Sequence, residues 1–207
     1  MWSVSLTVII ESQSVTIAKS ASDGYKNNAY IHTQGGRFYA HTPTWDIPAM
    51  AHALGQTARY RGNTDEFYSV AEHSVLVSML MQEVTGGNPR EGLFHDATES
   101  VMPDVSSPFK QLFPDLTKFD KELDEHLRKT LGLPPHKTNE CKHADWLALF
   151  IESATILPER GADFEDPYRL RPQALKLKEK EGWGIVCLDW RQARDVFLQR
   201  NQELTRA

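Results

Sequence analysis

Apolar positions recur along most of this chain at the three- and four-residue spacing of a helix, and capping residues cut the pattern into discrete elements. Ser69 followed by Glu72 reads as a capping box, so a helix is expected over 69–84 with His73 in its first full turn. Asn88 and Pro89 open another over 89–101, with His95 and Asp96 in its second turn and Glu99 projecting from the same face. Thr138 and Glu140 open one over 138–157, carried by Trp146, Leu149, Phe150, Ser153 and Leu157, ended by Pro158 and holding Asp145. Further helices are expected over 46–60, 115–131 and 189–204, the last opened by Asp189 with Gln192 as its capping partner. The charged stretch 158–188, with its Pro and Gly, reads as an exposed loop with one short helix, and the run Met79, Leu80, Met81 as core packing.

Only the N-terminal part departs from the helical period. Residues 1–18 alternate polar and apolar as a strand does, 19–28 read as a turn, and AYIHT with GRFYA form a second strand or a hairpin. No basic residue precedes the apolar stretch and Glu11 interrupts it, so a secretory signal is not expected. No segment reaches the ~18 apolar residues of a membrane span. The expected fold class is therefore mainly α, a helical bundle with a small N-terminal β-element, divided into an extension over 1–35 and a helical domain over 36–207.

Composition narrows the class without changing it. The chain has 207 residues, 40% hydrophobic and 25% charged, which suits one globular domain with its own core. A net charge of -5 disfavours a nucleic-acid polymer as partner, although a local positive pocket still attracts a nucleotide. Cys141 and Cys187 are far apart and in no CxxC spacing, so neither a disulfide framework nor a zinc knuckle is implied and a cytoplasmic location is expected.

The chemistry lies in four residues, His73, His95, Asp96 and Asp145. Two imidazoles and two carboxylates suit a divalent ion of the Mn, Fe, Co or Zn type, in a set hard enough to leave positions open for water and phosphate oxygens. The segments around them, YSVAEHSVLVSMLM and GLFHDATESV, are rich in apolar residues, where polar groups are costly to bury without a partner. Glu99, near the ligand set, is placed to move protons. This points to a metal-dependent phosphohydrolase.

The order H…HD…D resembles the HD-domain phosphohydrolases, and the likeness extends from about Gly36 to Leu204 through GRFYAHTPTWDIPAMAHALGQTARYRGNTDEFYSVAEHSVLVS, HDATESVMPDVSSPFK and KHADWLALFIES. It is similar to the compact bacterial and phage branch, which includes bacterial 5'-deoxynucleotidases and phage dATP triphosphohydrolases. The resemblance implies an HD-domain bundle in which His73, His95, Asp96 and Asp145 hold the metal (Co, Mn, Zn or Fe, with Mg an option for a triphosphate). Glu99 and Asp104 would orient or deprotonate the attacking water. Arg59, in the family's Arg-aromatic slot, would meet phosphate, as would Lys110 after its proline and Lys142, one turn before Asp145. Tyr60, Pro108 and the Trp45–Pro48 turn would wall the sugar and base. Other HD branches fit less well: Ser100 follows Glu99 where HDxxED is usual, and HHGxxGYP is absent. The expectation is a dATP or dNTP triphosphohydrolase, with a 5'-deoxynucleotidase of dNMPs as the alternative and a non-catalytic nucleotide sensor as another. A deoxynucleotide substrate, no membrane partner and a homo-oligomeric assembly are expected with it. The likeness leaves out Met1 to about Ala29, which reads as an added β-element, an oligomer contact or a disordered lead.

Overall fold

The computed structural model describes residues 29–103, 105, 107–180 and 183–206. The strand expected over 1–18 and the turn over 19–28 lie outside them. The hairpin expected over AYIHT and GRFYA is present: β1 (Tyr30–Thr33) pairs antiparallel with β2 (Gly36–Tyr39), Tyr30 opposite Tyr39. Everything after it is helical or connecting chain. The fold is mainly α with a small β-element at the N-terminal side of the bundle.

Local hydrogen bonding sets the helix starts. Asp46 caps α1 (Ile47–Gln56), Ser69 caps α2 (Val70–Leu80), Asn88 caps α3 (Pro89–Phe94) and Thr138 caps α6 (Asn139–Ile156), each accepting a backbone N–H of the first turn. Between them run α4 (Ser107–Lys110) and α5 (Pro114–Leu131), the latter ended by Gly132 at φ +67°. The charged stretch after 158 carries the expected short helix as α7 (Arg171–Lys178). The chain closes on α8 (Trp190–Arg206), where Asp189 and Gln192 exchange the bonds of a capping box.

The second helix is the axis of the molecule. It is buried on nearly all sides, and nine of its residues are buried, including the polar His73, Glu72, Ser74 and Ser78. On one flank Val70 and Ala71 meet Met50, Leu54, Leu93, Phe94 and Phe197. On the other, Leu76, Val77, Leu80 and Met81 meet Leu147, Phe150, Ile151 and Leu177. Leu80 and Met81 are thus core residues, as expected.

Three expectations need correction. The helix from Asp46 stops at Gln56, and Arg59 stands beyond it in a turn where Tyr60 and Arg61 take positive φ (51° and 54°). The helix from Asn88 stops at Phe94; Asp96 leaves helical geometry (φ -116°, ψ 20°) before a 3-10 turn, Ala97–Ser100, so one continuous helical face does not join His95, Asp96 and Glu99. Glu72 does not complete the capping box. Its carboxylate instead accepts the N–H groups of Val186, Cys187 and Leu188 at 3.1, 3.1 and 2.8 Å, pinning the segment before α8 to α2. Burial raises the Glu72 carboxyl above its ordinary range, and those three bonds pull it back.

Two features hold the site-bearing helices in register. Glu91 of α3, fully buried, accepts from Arg128 of α5 (3.2 Å) and from the Thr138 N–H and hydroxyl at the head of α6 (2.9 and 2.8 Å). Gly92 lets α3 cross α2 closely: a Cβ there would lie 2.9 Å from the Ser78 Cα and 2.9 Å from the Met81 Sδ. Gly92→Ala is expected to force these helices apart at a cost of about 1–3 kcal/mol. At about 2–4 °C per kcal/mol, thermal unfolding will show it, and an unchanged melting temperature would refute the close crossing.

Candidate metal centre

Three helices bring the expected ligands together. His73 comes from α2, His95 and Asp96 from the end of α3, and Asp145 from α6. His73 Nε2 lies 3.2 Å from His95 Nε2 and 3.3 Å from Asp145 Oδ1. Asp96 Oδ2 lies 3.1 Å from His95 Nε2 and 3.6 Å from His73 Nε2. One donor atom from each of His73, His95 and Asp145 falls within 4.8 Å of the others, the span of ligands on a single ion. Both imidazoles are buried, while Asp145 keeps 35% of its side chain exposed, so the cluster opens to solvent on the α6 side.

The other nitrogen of each imidazole is occupied. His95 Nδ1 bonds the Gly92 carbonyl at 2.8 Å, and His73 Nδ1 bonds Glu152 Oε1. With both Nδ1 atoms donating, each Nε2 faces the cluster, and in the neutral imidazole it would turn a lone pair there, the tautomer a metal needs. The residues present therefore fit a divalent ion.

Glu152 was not singled out in the sequence. Its carboxylate is fully buried and gathers His73 Nδ1, the Tyr68 hydroxyl (3.1 Å), the Tyr60 hydroxyl (2.7 Å) and Arg59 Nη2 (3.2 Å). Burial alone would raise its pKa. The charges of His73 and Arg59 and the bonds from His73 and Tyr60 outweigh burial and hold it down at about 2. It is the third carboxylate on α6, seven residues after Asp145 and so on nearly the same face. That spacing was the available signal.

The outer charge is also arranged around Asp96. Arg59 Nη1 stands 3.6 Å from its Oδ2 and Lys137 Nζ 2.8 Å from its Oδ1. Burial works against the Asp96 anion, but His95 and Lys137 prevail and hold this carboxyl well below the usual range. Lys137, just before the cap of α6, carries no sequence pattern that would have marked it.

Glu99 lies in the 3-10 turn after Asp96, its N–H closing on the Asp96 carbonyl at 3.0 Å. Tyr60 is turned to Glu152, and its ring packs under the Arg59 guanidinium at 5.3 Å. Lys110 stands over α5, 3.8 Å from Asp120. Lys142 is exposed and lines a groove of ≈ 280 Å³ with Asn139, His143, Trp146, Tyr168 and Leu170. Asp104 and the side chain of Pro108 lie outside the described residues; the Pro108 backbone belongs to α4.

Over 159 residues the chain is 37% identical to the uncharacterized protein YfdR of Escherichia coli, a match spanning 77% of this chain and 84% of that protein. It belongs to the YfdR family. A second member of comparable likeness is an uncharacterized protein of Rhodobacter capsulatus, 33% identical over 153 residues, 64% of this chain and 76% of that protein. No family model matches the chain. Among the described residues of this YfdR-family chain, no helix is long and apolar enough to cross a membrane.

Proposed function

We propose that the protein is a metal-dependent phosphohydrolase of the HD type acting on a deoxynucleotide, with dATP and related dNTPs as the preferred substrates and triphosphate as the released product. One observation carries the reading: His73, His95 and Asp145 present donor atoms within 4.8 Å of one another, Asp96 lies beside them, and both imidazoles are held through Nδ1 so that Nε2 faces the cluster. His73, His95, Asp96 and Asp145 would hold the ion. A divalent metal in that set supplies Lewis-acid activation of water and of a phosphoryl oxygen.

The chain's own residues divide the remaining work. Glu152 and the Gly92 carbonyl fix the imidazoles, so that the cluster needs no rearrangement to act. Glu99, in the turn that follows Asp96, takes the proton of the attacking water. Arg59 brings a positive charge against Asp96 and Glu152, offsetting two of the carboxylates that would otherwise repel a phosphate. Asp145, with 35% of its side chain exposed, marks the side from which a nucleotide would reach the cluster. Attack at the α-phosphorus with departure of the 5'-oxygen gives deoxynucleoside plus triphosphate.

The test is a product assay of Mn²⁺- or Co²⁺-loaded protein against all dNTPs and dNMPs, resolving inorganic triphosphate from phosphate. Triphosphate released chiefly from dATP is the expected result. Phosphate from dNMPs alone would move the reading to a 5'-deoxynucleotidase. Thermal stabilisation by a nucleotide without any turnover would replace hydrolysis by sensing.

A further inference from the structure

We propose that Lys137 is the substrate-binding cation of this centre, holding a non-bridging phosphate oxygen with the ammonium donors that Asp96 leaves over. The assignment rests on the phosphohydrolase reading and deepens it. Lys137 Nζ donates to Asp96 Oδ1 at 2.8 Å, whereas the opposite oxygen, Oδ2, is the one near His95 Nε2 (3.1 Å) and His73 Nε2 (3.6 Å). The lysine thus grips the carboxylate from outside the cluster and leaves its inner oxygen to the metal. An ammonium group has three donors, and this contact uses one.

Exposure separates Lys137 from the other cationic groups that touch the ligand set. Its side chain is 32% exposed, against none for His73 and His95 and 16% for Arg59. Its ammonium is thus on the ligand set while part of the side chain stays open to solvent, a position from which it can also meet an anion. Arg59 is committed inward, with Nη2 on Glu152 at 3.2 Å and Nη1 beside Asp96. Lys142 opens onto the groove of Trp146 and Tyr168 instead.

The lysine is also held in place. The next residue, Thr138, caps α6 and gives its N–H and hydroxyl to the buried Glu91, so the Lys137 backbone is fixed relative to Asp96 before any ligand arrives. A compact ammonium on a pre-set stem suits a single phosphate oxygen, where a guanidinium fork would ask for two. The ligand class follows: a phosphate group carrying full negative charge on its terminal oxygens, and not a neutral ester.

The experiment compares wild type with Lys137→Met and Lys137→Arg, using Mn²⁺-loaded protein. Calorimetry measures the binding of Mn²⁺, inorganic phosphate and inorganic triphosphate; KM and kcat are followed on the substrate found in the product assay. Lys137→Met is expected to weaken phosphate and triphosphate binding about tenfold and to raise KM in step, with Mn²⁺ stoichiometry and melting temperature retained. Lys137→Arg should restore part of the loss. Binding and KM within twofold of wild type in Lys137→Met would overturn this assignment alone, as would a loss that tracks lost Mn²⁺. Wild-type protein that neither binds nor hydrolyses any phosphate compound overturns the phosphohydrolase reading and this assignment with it.

Discussion

On the proposed phosphohydrolase reading, His95→Ala is expected to lose divalent-metal binding and hydrolytic activity together while remaining folded. The imidazole is buried and offers Nε2 to a cluster that also includes His73 and Asp145, so removing it deletes a ligand and leaves a hole the size of a ring. Partners outside the ligand set typically cost 10–100-fold in metal affinity when they are mutated, so a ligand itself should cost more than about 100-fold. The structural damage is smaller. The Gly92 carbonyl loses the donor at 2.8 Å, and a buried acceptor left unpaired costs about 1–3 kcal/mol, well short of typical domain stability. Elemental analysis of the purified variant, its melting temperature and the product assay together decide the matter. A variant that keeps a full equivalent of metal, or hydrolyses at the wild-type rate, would remove His95 from the centre.

What could be read in the chain beforehand was local chemistry. Ser69, Asn88, Thr138 and Asp189 announce their helices because a cap is a hydrogen bond to a backbone amide two or three residues on, written in adjacent letters. The paired His95 and Asp96 were legible for a related reason, since neighbouring polar residues in an apolar segment need a partner. The break of the helix at Asp96 was not, because nothing in the run FHDATES forbids another helical turn; the geometry there is imposed by where its side chains must point. Glu72 shows the same limit. Its pairing with Val186, Cys187 and Leu188 spans more than a hundred residues, and a capping box was the reading that local spacing favoured. Lys137 is further still from legible, since it reaches Asp96 only because Glu91 and Thr138 bring the head of α6 beside the end of α3. Glu152 lay within reach of the helical period, but a glutamate late in a helix is ordinarily a solvated one, and nothing nearby in the sequence marks it as different.

Glu152 is also where the largest loss of stability is expected. Glu152→Ala would strand four donors at once, the His73 ring, the hydroxyls of Tyr60 and Tyr68 and the guanidinium of Arg59, which has only 16% of its side chain exposed. Leaving a buried charge without its partner costs about 3–5 kcal/mol, and at about 2–4 °C per kcal/mol the melting temperature should fall by roughly 10 °C. Glu152→Gln keeps the shape and one acceptor but sets an amide N–H₂ against groups that are themselves donors, so it should recover only part of that loss. The same carboxylate predicts a pH signature. Its folded-state value of about 2 lies below the ordinary glutamate value of about 4.3, so its contribution is present above that ordinary value and fades as pH falls from there toward 2. Urea unfolding at pH 7, 5 and 3 should show wild type losing stability on acidification more steeply than Glu152→Gln, which has no carboxyl left to protonate at this position. Both variants should also bind Mn²⁺ about 10–100-fold more weakly, because His73 Nδ1 no longer has a carboxylate to hold its proton away from the cluster. Equal acid slopes, or undiminished metal affinity, would reduce Glu152 to a packing residue and leave the orientation of His73 to α2 alone.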